Sequence, residues 1–587
     1  MKKNNKNITS PFRYWFIISL FIISTFVLFS RAVYLQVIDA DFLKKEGDRR
    51  SIRLISDPVH RGAIMDRNGE QLAISTPVDS IIAEPRKVLK ADKIDLIALA
   101  SILNISQQKL IERLNNNIKR DFLYLDRHAN SNTVKVIKEL SIKGVYTQPE
   151  YKRYYPSAEI TAHIIGFTNI DDIGQEGIEL AYDEILKGNS GKKLVLKDRK
   201  RRIVRDIESV IASKPGTDIN LSIDKRIQYL AHRELSTAIK AHAAKSGSLV
   251  MLDVKTGEVI AMVGQPSFNP NNLRIADRKA IRNRNVTDSY EPGSTMKVFT
   301  IAAGLESGIF TPQTIIDTSP GIFRVGNKSI SDHHDYGSID VTTIITKSSN
   351  IGASKIALAL KPEFFYDLLV RFGFGDTTNS GYPGEQSGVL RLYDKWSEQD
   401  MATLSFGYGI QVTPLKLAQA YAVIANDGLK LPVSFIKITK PNMSERVISE
   451  NIARQIKMML ETVVSSGGTA RKASIEGYRV LGKTGTTLKY NAQAGTYYDD
   501  RYRSLFVGIV PAVNPRFVTV VVIDEPDKDK GYYGGDVAAP VFSKVMQGAL
   551  RILDVPPDNL NGFNNSIIAN IDKKISKDLE SVDNDGT

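Results

Sequence analysis

Residues 291–308 read EPGSTMKVFTIAAGLESG and combine a turn, a serine and an apolar helix. The Pro-Gly pair predicts the end of one segment, and the apolar run to about Leu305 predicts a helix that opens at Ser294. In that helix Ser294 and Lys297 share one face, one turn apart. Because the helix is apolar nearly all round it should be buried, and burial pushes a lysine towards its neutral form. A neutral Lys297 can accept the proton of Ser294.

Ser-x-x-Lys alone is a weak signal, because the chain repeats it at Ser106, Ser190, Ser222 and Ser434. Lys-Thr-Gly also occurs twice, at Lys255 and at Lys483. One ordered combination places Ser294 at a buried helix start, then Ser348-Ser349-Asn350 in a polar break of a helical region. It continues with Lys483-Thr484-Gly485-Thr486 on a strand. This order is typical of serine acyl-transferases.

Strand-like segments flank this region on both sides. SLVMLDV and VIAMVG follow an amphipathic helix that starts near Asp224, and YRVLGKTGTT, SLFVGIVPAV and RFVTVVVIDEP lie near the other end. Strands from both ends should meet in one sheet, with a helix-rich insertion between them. We therefore predict the α+β class, with a five-stranded antiparallel sheet flanked by helices.

The N-terminal region predicts a membrane anchor. Residues 14–29, YWFIISLFIISTFVLF, carry no charge, and a helix continuing to about Leu35 would rise ~30 Å, enough to span a bilayer. Four cationic residues precede the run and favour a cytoplasmic N-terminus: Lys2, Lys3, Lys6 and Arg13. We favour an uncleaved anchor over a signal peptide, because the apolar run is long and no A-x-A-like site follows it.

Composition excludes several classes of function. The length of 587 residues suggests about three folding units. The net charge of +13 is spread along the chain, so no nucleic acid partner is expected, and zero Cys excludes thiolate metal sites and cysteine nucleophiles. His333-His334 beside Asp332 and Asp335 is interpreted as a surface loop rather than a metal cluster or half of a catalytic triad. We predict no metal and no cofactor.

Longer segments resemble a known family. RGAIMDRNGEQLA, SYEPGSTMK, SFGYGIQVTPLKLAQAY and YYGGDVAAPVF are similar to segments of class B penicillin-binding proteins, specifically the division-specific FtsI type, and the resemblance covers nearly the whole chain. It implies an elongated, non-catalytic mixed α/β pedestal (36–223) and a transpeptidase domain (224–557). The apolar run predicts a transmembrane anchor (14–35) after a cytoplasmic N-terminus (1–13), and the Asn-, Lys-, Asp- and Ser-rich composition of residues 558–587 predicts a disordered tail.

The resemblance also implies an activity. Such an enzyme cross-links the stem peptides of septal peptidoglycan through an acyl-enzyme on Ser294, releases D-Ala and is a target of β-lactams. Carried over by motif, Lys297 is the general base and Ser348 relays a proton to the leaving group. By the same resemblance, Asn350 holds Lys297 and the substrate amide, and Lys483 adds positive potential. Thr484 and Thr486 contact the substrate carboxylate, and Gly485 lets substrate approach the strand.

Several alternatives stay open at this point. They are an elongation-type class B transpeptidase, a D,D-carboxypeptidase or β-lactamase, and a non-catalytic β-lactam sensor or divisome scaffold. The partners that the resemblance implies are lipid-linked or nascent peptidoglycan, β-lactams, a SEDS-type glycosyltransferase and other divisome proteins. The implied location is the inner membrane, with one span, a periplasmic catalytic domain and a place at the division septum.

Overall fold

The computed structural model describes residues 11–198, 203–440 and 443–559. Residues 1–10 of the predicted cytoplasmic segment and all but the first two residues of the predicted tail lie outside the described residues. The helices are α1 (Pro11–Val33), α2 (Ala40–Ser51), α3 (Pro85–Val88), α4 (Lys93–Ile102), α5 (Gln107–Asn116), α6 (Ser131–Leu140), α7 (Ala162–Ile165), α8 (Gly177–Ala181), α9 (Asp183–Leu186), α10 (Lys225–Ala241), α11 (Arg278–Ile281), α12 (Arg284–Thr287), α13 (Lys297–Glu306), α14 (Val341–Lys347), α15 (Asn350–Leu358), α16 (Pro362–Arg371), α17 (Glu398–Leu404), α18 (Pro414–Ala425), α19 (Glu450–Thr462), α20 (Gly534–Val537) and α21 (Ala539–Ile552).

The strands are β1 (Ile52–Asp57), β2 (Ile64–Met65), β3 (Gln71–Ala83), β4 (Leu123–Ala129), β5 (Val145–Tyr154), β6 (Gly191–Lys197), β7 (Ile203–Ile211), β8 (Ile219–Asn220), β9 (Ser246–Asp253), β10 (Val259–Gln265), β11 (Ile315–Asp317), β12 (Ile322–Val325), β13 (Lys328–Ser331), β14 (Ser338–Asp340), β15 (Leu429–Lys430), β16 (Glu445–Arg446), β17 (Leu481–Asn491), β18 (Thr496–Val510) and β19 (Phe517–Asp524). Together these elements form two compact units, one of Met1–His60 with Gly188–Pro215 and one of Arg61–Lys187 with Gly216–Thr587.

The first unit contains the candidate anchor. Its helical span Pro11–Ile38 has a mean hydropathy of 2.2 and is long and apolar enough to cross a membrane. No residue of α1 is buried, as expected of a helix whose apolar side chains face lipid. The described part of the same unit also contains an antiparallel sheet with the strand order β1-β6-β7.

The N-terminal part of the second unit is a mixed α/β structure. Its sheet has the order β4-β3-β2-β8, and β5 pairs with the long strand β3. Helices α4, α5 and α6 bury Leu99, Leu110 and Ile137 in a separate apolar core with strands β3 and β4. The parallel pairing of β2 with β8 joins this part to residues just before α10.

The rest of the second unit is built on a sheet with the order β10-β9-β19-β18-β17, in which every neighbouring pair is antiparallel. The predicted α+β class and five-stranded antiparallel sheet are therefore confirmed. Every residue of β9 is buried, so helices cover both faces of the sheet centre. Strand β17, which carries Lys483, is one of the two edge strands, and it contacts the turn that carries Ser294.

Helix α13 lies in the core, as its apolar sequence predicts. All residues from Lys297 to Leu305 are buried. The Phe299 ring makes edge contacts with Phe372, Phe374 and Tyr421, at centroid distances of 4.9, 4.9 and 5.3 Å. Such contacts add to the free energy gained by burying the ring, so α13 is held rigidly behind Ser294.

A buried ion network stabilises the N-terminal part of the second unit. The Glu179 carboxylate accepts hydrogen bonds from Arg61 Nε and Arg153 Nε, each at 2.6 Å, and the Glu179 and Arg61 side chains are fully buried. Arg61 also donates to Asp183 at 2.6 Å. Because both guanidinium groups lie away from water, the network depends on the Glu179 charge.

We predict that Glu179→Gln lowers the free energy of unfolding by about 3–5 kcal/mol, because it leaves buried guanidinium charge uncompensated. Urea titration of the purified chain in detergent, followed by circular dichroism, measures this change. The matched control is Glu184→Gln, since Glu184 is exposed and its ion pair with Lys187 lies at the surface. Equal midpoints for the two variants would show that the network does not stabilise the fold.

Candidate active site

Ser294 lies in a tight turn between two segments. Residues Gly293–Met296 form a 3₁₀ turn, and α13 begins only at Lys297. The sequence predicted a helix from Ser294, but Gly293 has a φ of +56°, and the α geometry starts after this left-handed residue. A Cβ at Gly293 would lie 2.3 Å from Thr487 Cγ2, so glycine is required there on steric grounds. Ser294 is half-buried, whereas Lys297 is fully buried.

The Lys297 amine lies among four oxygen atoms. Its Nζ is 3.0 Å from Ser294 Oγ, 3.1 Å from Ser348 Oγ, 2.5 Å from the Ser348 carbonyl oxygen and 2.7 Å from Asn350 Oδ1. The last two oxygens only accept hydrogen bonds, so they take the two N–H groups of a neutral amine. The amine lone pair is then left for a hydroxyl proton. The structure therefore brings the predicted nucleophile and the predicted base together.

Ser348 and Asn350 lie at a break between α14 and α15. Ser348 adopts a left-handed conformation with a φ of +59°, which ends α14 and turns its carbonyl oxygen and hydroxyl towards Lys297. Asn350 is the first residue of α15, and its Nδ2 donates to the Ser331 carbonyl oxygen at 3.0 Å. That contact points Asn350 Oδ1 towards Lys297. The polar break predicted in this helical region thus lies beside the nucleophile.

Lys483 reaches the same place from β17. It is fully buried, and its Nζ lies 2.9 Å from Ser348 Oγ. Burial lowers the pKa of Lys483 to about 7. Burial, together with the nearby Lys483 charge, also lowers the pKa of Lys297 well below its usual value, while the Asp332 carboxylate opposes this change. Lys483 can therefore exchange a proton near neutral pH, and the neutral form of Lys297 is favoured over that of an exposed lysine.

The three residues after Lys483 line the edge of β17. Thr486 Oγ1 accepts a hydrogen bond from the Gly534 N–H at 3.0 Å, which leaves its own proton available to a ligand. A Cβ at Gly485 would lie 3.0 Å from the Pro292 carbonyl oxygen and 3.2 Å from Thr295 Cγ2. Gly485 therefore lets the Ser294 turn pack closely against the strand.

Two residues to which the sequence assigned no role in the site also lie there. Thr469 Oγ1 lies 2.9 Å from Thr484 Oγ1, and Asp332 accepts hydrogen bonds from the residues around Asn350. The surface-loop interpretation suits His333 and His334, which are exposed, but not the half-buried Asp332. No motif spacing links either Thr469 or Asp332 to Ser294, so only the folded structure brings them there.

The repeated short motifs elsewhere in the chain lie in caps, turns and packed positions of the fold. Ser106 caps α5 by accepting a hydrogen bond from the Lys109 N–H. Ser222 is buried and donates to the Val259 carbonyl oxygen at 2.7 Å. Lys255, which opens the other Lys-Thr-Gly, lies in the turn between β9 and β10. These matches are unlike the one at Ser294, where the serine faces a buried amine.

Two family models match the chain. Residues 247–547 match the penicillin binding protein transpeptidase domain, and residues 56–221 match the penicillin-binding protein dimerisation domain. Peptidoglycan D,D-transpeptidase FtsI of Escherichia coli (strain K12) is 43% identical over 548 residues, which cover 92% of each chain.

Solved structures of penicillin-binding proteins are also similar to this chain. The apo transpeptidase domain of Burkholderia pseudomallei penicillin-binding protein 3 is 40% identical, with a TM-score of 0.53, and the match covers 58% of this chain and 97% of that one. Penicillin-binding protein 3 of Mycobacterium tuberculosis in complex with aztreonam is 26% identical, with a TM-score of 0.66, and the match covers 86% of this chain and 98% of that one. The resemblance predicted from the sequence is confirmed, and the chain belongs to the class B penicillin-binding proteins of the FtsI type.

Proposed function

We propose that this chain is a membrane-anchored serine D,D-transpeptidase that cross-links the stem peptides of septal peptidoglycan. The observation that carries the proposal is the buried Lys297 amine, 3.0 Å from Ser294 Oγ, with its N–H groups engaged by two carbonyl-type oxygens. That arrangement lets Lys297 take the Ser294 proton without a histidine.

In the acylation step, Ser294 Oγ attacks the carbonyl carbon of the penultimate D-Ala while its proton passes to Lys297. The backbone N–H groups of Ser294 and Thr486 stabilise the resulting oxyanion, an interaction for which one donor typically contributes about 100- to 1000-fold in rate. Collapse of the tetrahedral intermediate breaks the peptide bond. The product is an ester on Ser294.

The leaving nitrogen needs a proton when that bond breaks. Ser348 Oγ lies 3.1 Å from Lys297 Nζ and 2.9 Å from Lys483 Nζ, so it can pass the proton from Lys297 to the departing D-Ala amine. An amine of a neighbouring stem peptide then attacks the ester, and Lys297 again accepts the proton. Ser294 is regenerated as the cross-link forms.

The substrate carboxylate binds at β17. Thr486 offers a hydroxyl donor at the strand edge, and the Thr484 hydroxyl lies beside that of Thr469. The buried Lys483 amine lies 3.3 Å from the Thr484 carbonyl oxygen. An anion is favoured at such a position while Lys483 is protonated. The same contacts would take the carboxylate of a β-lactam.

The cellular setting is part of the proposal. The apolar span Pro11–Ile38 supports one crossing of the inner membrane, with the catalytic domain in the periplasm. The FtsI name of the Escherichia coli relative supports a place at the septum, with a SEDS-type glycosyltransferase and other divisome proteins as partners. We assign residues 36–223 to the pedestal and 224–557 to the catalytic domain, supported by the two family models at 56–221 and 247–547.

We predict that a fluorescent penicillin forms a stable ester on Ser294 of the detergent-solubilised chain, because the neutral Lys297 activates that hydroxyl. Mass spectrometry of the labelled peptide identifies the residue. Ser294→Ala should abolish the label. The matched control is Ser106→Ala, since Ser106 has the same Ser-x-x-Lys spacing but lies on α5.

Two results would contradict the assignment. A label that persists in Ser294→Ala, or that maps to another residue, would remove Ser294 from the nucleophile role. Rapid loss of the label by hydrolysis would favour a β-lactamase. With a stem-peptide donor and an amine acceptor, a transpeptidase forms the cross-linked product and releases one D-Ala per cross-link, whereas a carboxypeptidase releases D-Ala without it.

We predict that the second-order rate of penicillin acylation passes through a maximum as pH rises. It increases as Lys297 loses its proton, and it falls by at least about tenfold as Lys483 loses its charge at a pKa of about 7. Stopped-flow acylation from pH 5 to pH 9 measures both limbs. Lys483→Met should remove the fall, so that the rate only rises as Lys297 loses its proton and levels off at a lower value.

The matched control for this profile is Lys416→Met. Lys416 is also buried, with its pKa lowered to about 8 by burial, but its amine donates to the Thr377 carbonyl oxygen and to Gln419 rather than to the site. That variant should keep the fall near pH 7. A fall that survives in Lys483→Met would assign the titration to another group.

A further inference from the structure

Asp332 makes several contacts with the Ser348–Asn350 break. It follows β13 directly and is half-buried. Its Oδ2 accepts a hydrogen bond from the Ser349 hydroxyl at 2.5 Å, and its Oδ1 accepts from the N–H groups of Asn350 at 2.5 Å and Ile351 at 3.2 Å. One carboxylate thus binds three consecutive residues at the start of α15.

The end of β13 also orients the Asn350 side chain. The Ser331 carbonyl oxygen accepts from Asn350 Nδ2 at 3.0 Å, while Asn350 Oδ1 faces Lys297 Nζ at 2.7 Å. The β12–β13 hairpin is held in place because Val325 and Ile330 pack in one apolar cluster with Ile351 of α15. Asp332 therefore reaches the break from a rigid support.

The charges around Lys297 come from few groups. Lys483 of β17 is the nearby cation and Asp332 is the nearby anion. The lysines of the adjoining helices point elsewhere, since Lys347 of α14 donates to the Gly467 carbonyl oxygen and Lys355 of α15 to that of Asp317. At the far end of α13, Glu306 pairs with Arg371.

We propose that Asp332 is a positioning residue for acyl transfer, which holds the Ser348–Asn350 break in its reactive geometry and supplies a negative charge near the buried Lys297 amine. The proposal rests on the function proposed above. It assigns two separable properties to one side chain. The hydrogen bonds hold the geometry, and the charge favours the protonated form of Lys297 against the effects of burial and of Lys483.

Each property has its own kinetic signature. Loss of the hydrogen bonds displaces Ser348 and Asn350, which lowers the maximal acylation rate by about 10- to 100-fold. Loss of the charge lowers the pKa of Lys297 further, because Asp332 favours the protonated amine. The rising limb of the pH profile then moves to lower pH.

The test measures fluorescent-penicillin acylation of the full chain in detergent, from pH 4 to pH 9, in three variants. Asp332→Asn should lower the maximum and move the rising limb to lower pH. Asp332→Glu keeps the charge, so it should lower the maximum and leave the limb in place. The matched control is Asp335→Asn, because it loses the same charge in the same loop, and within the described ranges Asp335 accepts only from the nearby Gly337 N–H, at 2.9 Å.

The proposal is overturned if Asp332→Asn and Asp335→Asn have the same maximal acylation rate and the same position of the rising limb in the pH profile. If Asp332→Asn loses its thermal transition, Ser349→Ala decides instead, because it removes the hydroxyl that donates to Asp332 and that also caps α15 by accepting from the Gly352 N–H at 2.9 Å. It should lower the maximal rate several-fold, and an unchanged rate overturns the proposal. Absence of a Ser294 ester in the wild-type chain would instead refute the proposed function itself.

Discussion

The site depends on two lysine amines that share one hydroxyl inside the protein. Lys297 and Lys483 are both fully buried, and both lie within hydrogen-bond distance of Ser348 Oγ. Two ammonium groups so placed repel each other and lack water, so burial pushes at least one of them to its neutral form. The free energy of folding thereby holds a base in a reactive protonation state before substrate arrives.

Close packing between the Ser294 turn and the edge strand keeps the two amines together. Gly485 leaves room for the Pro292 carbonyl oxygen, and Gly293 leaves room for the Thr487 methyl group. Gly407 also leaves room for the turn, because a Cβ there would lie 2.2 Å from the Gly293 carbonyl oxygen. Larger residues at these positions would separate the nucleophile from β17.

The sequence predicted the parts of this arrangement that depend on local pattern. The strands are short apolar runs, and Lys297 follows Ser294 at a fixed spacing, so both were predictable. The start of the α-helix was not, since the left-handed Gly293 delays it to Lys297. Thr469 and Asp332 were missed as site residues because neither follows a periodic pattern, and only the tertiary fold brings their loops to the motif residues.

The difference between the site residues that the sequence predicted and those it missed has a physical cause. Residues that react must lie on rigid elements with short-range spacing, and such spacing is visible in a sequence. Residues that adjust the position or charge of those groups need only reach them, so any loop that the fold brings near can supply them. In this chain the long insertion between β10 and β17 supplies Ser294 on a turn, Ser348 at a helix break and Asp332 after a hairpin. The sheet contributes Lys483 and the substrate-binding edge Thr484–Thr486, all from β17. The insertion therefore supplies the nucleophile and its base, and the sheet holds that insertion in one geometry.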